Sequence, residues 1–228
     1  VLLNITPDHI DRHGDFDHYA AVKKNIFHRQ TSPRVAIVCV DDEPCRKIYQ
    51  ELVEAGDQRV IPVAEEHRVQ LACHLPDPPA PVLRGEDRWN FPVFEGLKRF
   101  SELVDSPYHG FNFCCGVAAE GLENPAEELP AIVKYFAERK KIFNVHFRNI
   151  KGELNDFQET FPNTGNADMT AAMQAYHDAG FDGWMTPDHA IHMDGDTDWG
   201  HRGRAFAMGY MQALVEAVQK QAEAANRN

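Results

Sequence analysis

Apolar positions along the chain fall into short runs separated by polar segments marked with Gly and Pro. Within the runs the spacing switches between the period of a strand and that of a helix. Over the first part this rhythm predicts a helix at 19–29, a strand at 35–40, a helix at 44–55 and a strand at 59–63. From residue 69 the units lengthen, with apolar strands expected at 69–74, 110–115, 142–147 and 183–188, each followed by loop signals and a helix. The clearest of these helices are 125–139, with Asn124 as N-cap and Pro125 at its first position, then 167–179 and 204–224. Strand, loop and helix repeated four times indicate an α/β fold with a parallel sheet, or part of a barrel. The run 75–81, LPDPPAP, is too rich in proline for a helix interior or a central strand and reads as an ordered loop.

Composition narrows the function more than the fold. At 228 residues and 43% hydrophobic, the chain can bury a sizeable core. A net charge of -12 repels a phosphate backbone, which argues against nucleic acid as a partner and leaves small polar molecules open. No run approaches the roughly 20 apolar residues of a membrane span, and no secretory leader is legible. Five cysteines, an odd number, fit a reduced, cytoplasmic compartment. Because Val1 opens in the middle of an apolar run, the expectation is a piece of something longer.

Four residues with metal-ligand chemistry stand at the C-terminal ends of four successive expected strands: His74, Cys114, His146 and Asp188. Their separations of 40, 32 and 42 residues are one strand–helix unit each, and a barrel gathers such strand ends around one pocket. Two imidazoles, a thiolate and a carboxylate suit manganese, iron, cobalt or zinc better than magnesium or calcium. Taken singly, each residue has a structural explanation as a hydrogen-bonded or packed strand-end side chain.

The strings Ala72-Cys73-His74 with Asp77-Pro78-Pro79, Phe113-Cys114-Cys115-Gly116, Asn144-Val145-His146-Phe147-Arg148-Asn149 and Pro187-Asp188-His189 resemble successive signatures of the mannonate dehydratase family. The resemblance implies one divalent transition metal, Mn2+ or Fe2+, held by His74, Cys114, His146 and Asp188. It favours Cys114 over Cys115, which strand alternation turns away. It implies loss of water from D-mannonate to give 2-keto-3-deoxy-D-gluconate, with His189 in acid/base work and Arg148, Asn149 and Asp77 on the substrate. Where the family carries a tyrosine acid/base ahead of the Arg-Ala that opens the last helix, this chain has His201 and Arg202. The fold implied is the last four strand–helix units of a partial TIM-type (β/α) barrel.

Residues 1–63 resemble another family. Asn4-Ile5-Thr6-Pro7-Asp8-His9-Ile10-Asp11-Arg12-His13, followed by Tyr19-Ala20-Ala21-Val22-Lys23, is similar to the central domain of the muramyl ligase that adds D-glutamate. The family's pattern implies magnesium at His9 and a carbamylated Lys23, but no glycine-rich phosphate loop ending in Gly-Lys-Ser/Thr is present in the sequence. The expected organisation is a small βα fragment over 1–63 joined to a half barrel over 64–228. The expected function is a metal-dependent lyase acting on a small sugar acid, impaired in this chain and self-associating. The alternatives are a chimeric or truncated chain that only binds metal, a muramyl-ligase fragment, and a sugar isomerase.

Overall fold

The computed structural model describes residues 15–28, 34–40, 43–63, 68–189 and 191–227. His9, the rest of the 4–13 motif and the joint at 64–67 lie outside these described residues. The chain divides into two compact units, Val1–Leu71 with Val104–His109, and Ala72–Leu103 with Gly110–Asn228.

In the first unit, α1 (Phe16–His28) and α2 (Glu43–Ala55) accompany the parallel pair β1 (Val35–Cys39) and β2 (Arg59–Val63). Tyr19 and Phe27 from α1, Ala36 and Val38 from β1, and Cys45, Ile48 and Leu52 from α2 form its core. Lys23 is exposed on α1, its Nζ over the Tyr19 ring at 5.3 Å.

The second unit is built on a four-stranded sheet in the order β10-β7-β6-β3, with β3 (Leu71–His74), β6 (His109–Cys114), β7 (Ile142–His146) and β10 (Trp184–Thr186). The pairs β6–β7 and β7–β10 are parallel. These are the four expected strands; β3, β7 and β10 are shorter than the sequence suggests, and β6 keeps its length but starts one residue earlier. The intervening chain forms the hairpin β4 (Val82–Leu83) with β5 (Glu86–Asp87), then α3 (Val93–Glu102), α4 (Cys115–Glu120) and α5 (Pro125–Glu138). It continues with the antiparallel hairpin β8 (Asn149–Glu153) and β9 (Asp156–Thr160), α6 (Met169–Asp178) and α7 (His201–Ala225).

Alternation along the strands separates core from site. Phe111 and Phe113 are fully buried with Leu129, Val133 and Phe136 of α5, while Asn112 and Cys114 take the other face. A bulge between Phe111 and Asn112 resets the register, so that Asn112 pairs with Asn144 and Cys114 with His146. Helix starts follow their local chemistry. The Asp168 carboxylate accepts from Ala171 N at 2.9 Å to cap α6. At α5 Pro125 takes the first position as expected, but the Asn124 side chain makes no capping bond; its backbone N donates to Glu128 Oε1 at 2.6 Å. No helix among the described residues is long and apolar enough to cross a membrane.

Candidate metal centre

The ligand atoms of His74, Cys114 and His146 lie within 4.8 Å of one another at the ends of β3, β6 and β7. His74 Nε2 is 3.2 Å from His146 Nδ1, and Asp188 Oδ2 is also 3.2 Å from that nitrogen. The structure therefore brings together all four residues that the strand ends nominate. Asp188 follows β10 with a left-handed backbone, φ 57°, a conformation aspartate tolerates better than most residues. Its carbonyl accepts from Arg204 Nη1 at 3.0 Å, which ties the turn to the first residues of α7. The close start of α7 depends on Gly203, where a Cβ would stand 1.9 Å from the Ile191 carbonyl oxygen.

Cys114 is buried and its Sγ accepts from Val117 N at 3.5 Å, so the candidate ligand also caps α4. Cys115 is not on the reverse face of a strand, as alternation suggested. It is the first residue of α4, and its thiol lies 3.6 Å from Tyr176 Oη in the core. Burial there pushes its thiol up to about 12, against the opposing pull of the Tyr176 bond. A thiol kept neutral in this way is a poor ligand.

Beside the centre sits an ion cluster organised by Arg148, whose side chain is 3% exposed. Its Nε and Nη2 reach Glu159 Oε2 at 2.8 Å and Oε1 at 2.6 Å, Nη2 also reaches Glu120 Oε1 at 2.9 Å, and Nη1 reaches Asp77 Oδ2 and Cys114 Sγ at 3.4 and 3.7 Å. Every nitrogen of the fork is engaged by these groups. Asn149, beside it, is held by backbone groups. It is buried, its Nδ2 donates to the carbonyls of Pro162 and Ala167, and its Oδ1 accepts from Ile150 N and Ala167 N, so it anchors the β8–β9 hairpin. Asp77 stays partly exposed at the rim, its carboxylate turned to Arg148.

His189 is 56% exposed, with Nδ1 2.9 Å from Glu159 Oε1 and Nε2 3.8 Å from Asp188 Oδ2. Burial raises Glu159, but bonds from Arg148 and His189 outweigh that and hold its carboxyl below the usual range. Glu120, whose Oε2 is buried without a partner, moves the other way. Burial first, then the Asp77 carboxylate, push it up to about 7 against the pull of Arg148. His201 and Arg202 are bonded elsewhere, His201 Nδ1 to Thr197 Oγ1 at 2.5 Å and Arg202 Nη1 to the Asp194 carbonyl at 2.9 Å. Both open α7 and bond back to the preceding turn, and neither shares a bond with the His/Cys/Asp group. Glu159, Glu120 and Asn112 are the participants that sequence reasoning did not single out.

The fold and this donor set define an α/β protein whose parallel sheet carries a candidate transition-metal centre at its strand ends. The family description D-mannonate dehydratase (UxuA) matches residues 40–225, and the Mur ligase middle domain matches residues 1–72. A mannonate dehydratase of Thermotoga petrophila is 34% identical over 191 residues, 79% of this chain and 49% of that protein. Mannonate dehydratase 2 of Halalkalibacterium halodurans is 33% identical over 176 residues, 71% of this chain and 47% of that protein. The crystal structure of mannonate dehydratase from Streptococcus suis serotype2 superposes with a TM-score of 0.63 at 27% identity, over 89% of this chain and 54% of that one. The chain belongs to the mannonate dehydratase family. It spans about half the length of the curated relatives it matches.

Proposed function

We propose that this chain is the metal-binding half of a lyase that removes water from D-mannonate to give 2-keto-3-deoxy-D-gluconate. The observation that carries the reading is the convergence of His74, Cys114 and His146 within 4.8 Å, with Asp188 3.2 Å from His146. Two neutral imidazoles, a thiolate and a carboxylate fit one divalent ion of the manganese or iron type. When bound, such an ion supplies Lewis-acid stabilisation of negative charge developing on the substrate's oxygens.

The remaining work belongs to the chain's own side chains. Glu159 accepts from His189 Nδ1, which leaves Nε2 as the end that exchanges a proton with the sugar acid at C2 or with the departing C3 hydroxyl. Arg148 fixes Glu159 and stands beside Cys114, so it orders the acid/base and ligand groups together. In the partial barrel we infer, four strand–helix units expose an open sheet edge, and Trp184 on β10 is 81% exposed. That exposure supports self-association and an impaired reaction in this chain alone.

Elemental analysis tests the centre: about one equivalent of metal is expected, and His146→Ala and Asp188→Ala proteins that keep the parent's content would remove it. A ketodeoxygluconate assay with manganese tests the impairment. Turnover of roughly 1 per second or more, the lower end of ordinary enzymes, contradicts it.

A further inference from the structure

The two imidazoles of the centre are held by partners of different kinds. His74 Nδ1 lies 2.6 Å from the Leu75 carbonyl oxygen, which can only accept. The His74 proton is therefore fixed on Nδ1, and Nε2 presents its lone pair to the centre. His146 has no such fixed partner. Its Nε2 lies 3.0 Å from Asn112 Nδ2, while Asn112 Oδ1 accepts from Asn144 Nδ2 at 2.9 Å. In this arrangement the amide donates to Nε2, so the imidazole proton sits on Nδ1, where His74 Nε2 accepts it at 3.2 Å, with Asp188 Oδ2 at the same distance from that nitrogen.

That tautomer has no lone pair at Nδ1, the nitrogen that faces His74 Nε2 at 3.2 Å. Ligation through Nδ1 requires the other tautomer, with Nε2–H donating to an acceptor at the place of Asn112 Nδ2. An amide is the neutral side chain that serves both, because its oxygen and nitrogen ends exchange on a half turn. Asn112 and Asn144 are cross-strand partners one step below the Cys114–His146 pair on the same face of β6 and β7. The second amide can turn with the first and keep the bond between them.

We infer that Asn112, backed by Asn144, is the positioning residue that sets the ligating tautomer of His146, the amide pair turning end for end when metal binds. The inference rests on the metal-centre reading above. The exchange of tautomers conserves protons: one leaves Nδ1 for solvent and another is taken up at Nε2. Partners in this outer position are worth roughly 10- to 100-fold in metal affinity.

The test uses the full chain with 15N-labelled histidine and Zn2+ as the probe ion. Long-range 1H–15N spectra should place the His146 proton on Nδ1 with chelator present and on Nε2 with zinc bound. Asn112→Asp, which only accepts, should show the Nε2–H form even without zinc and bind zinc at least as tightly as the parent. Asn144→Asp should act in the same direction by holding the Asn112 nitrogen. Asn112→Leu should bind ~10- to 100-fold more weakly; if that variant does not fold, the two aspartate variants and the spectra decide. An Asn112→Leu protein that binds like the parent, or Nδ1–H retained in an Asn112→Asp protein, overturns the inference. His146→Ala separates the two levels, because undiminished zinc binding there removes the centre itself.

Discussion

Glu120 gives the sharpest test of how this structure manages charge. Its side chain is buried at the end of α4, one oxygen on Arg148 and the other without a partner, facing a neighbourhood that also contains Asp77 and Glu159. Its carboxyl rises from the ordinary 4.5 to about 7. A carboxyl raised on folding binds its proton more tightly in the folded chain than in the unfolded one. Its contribution is therefore fully present below the unfolded value and is lost as pH climbs through the folded value. Between about pH 5 and about pH 8 the shift from 4.5 to about 7 corresponds to a loss of ~2.5 kcal/mol. Glu120→Gln keeps an oxygen for Arg148 but cannot ionise, so its stability should fall less over the same range, by that difference. Urea unfolding followed by tryptophan fluorescence is the natural assay, since the three tryptophans, Trp89, Trp184 and Trp199, all lie in the second unit. A chelator removes any contribution of bound metal through mass action. Parent and variant curves that stay parallel to within ~0.5 kcal/mol, about the accuracy of such extrapolations, would mean that Glu120 is ionised and well solvated.

Three further outcomes follow from named contacts. Asn149→Ala leaves two buried carbonyls and two buried N–H groups without their partner and should cost about 1–3 kcal/mol or more, read as a lower urea midpoint of the tryptophan signal. Arg204→Met removes the bond to the Asp188 carbonyl and should weaken cobalt or zinc binding by about 10-fold while leaving the unfolding midpoint close to the parent's; equal affinity would show that Asp188 holds its turn unaided. Gly116→Ala sets a Cβ 2.7 Å from Arg148 Cγ and Cδ, so it should displace the guanidinium and lower both metal affinity and stability, whereas a silent change would mean that Arg148 has room to move.

The strand ends were legible because each expected strand carries a residue with ligand chemistry at its last position or one before it, and a parallel sheet puts such ends side by side. What the sequence hid has physical reasons. Glu159 lies in a stretch, 149–160, whose mixed charged and apolar residues read as loop, although the structure pairs it as a hairpin. Glu120 ends a six-residue helix and looks like any surface acid until burial is known. The bonding of Arg148 to Glu159, Glu120, Asp77 and Cys114, and of Asn149 to the backbone of Pro162 and Ala167, joins residues whose spacing along the sequence gives no sign of contact. Asn112 and Asn144 were within reach of the sequence, two residues before Cys114 and His146 and therefore on the same face of their strands. Polar residues at that offset inside apolar strands were the available signal.

The hairpin of β8 and β9 also has a bearing on how such a protein can change over time. Its Glu159 steadies His189, yet the hairpin contributes none of the four candidate ligands and pairs with no strand of the four-stranded sheet. The carboxylate that supports His189 and the four candidate ligands are thus written on separate stretches of chain, although His189 itself adjoins Asp188. Residues 149–160 can vary in length or sequence, or be replaced by a designer, and alter the surroundings of His189 without redrawing the ligand set. Arg148, which bonds both Glu159 and Cys114, is the point where such independence stops.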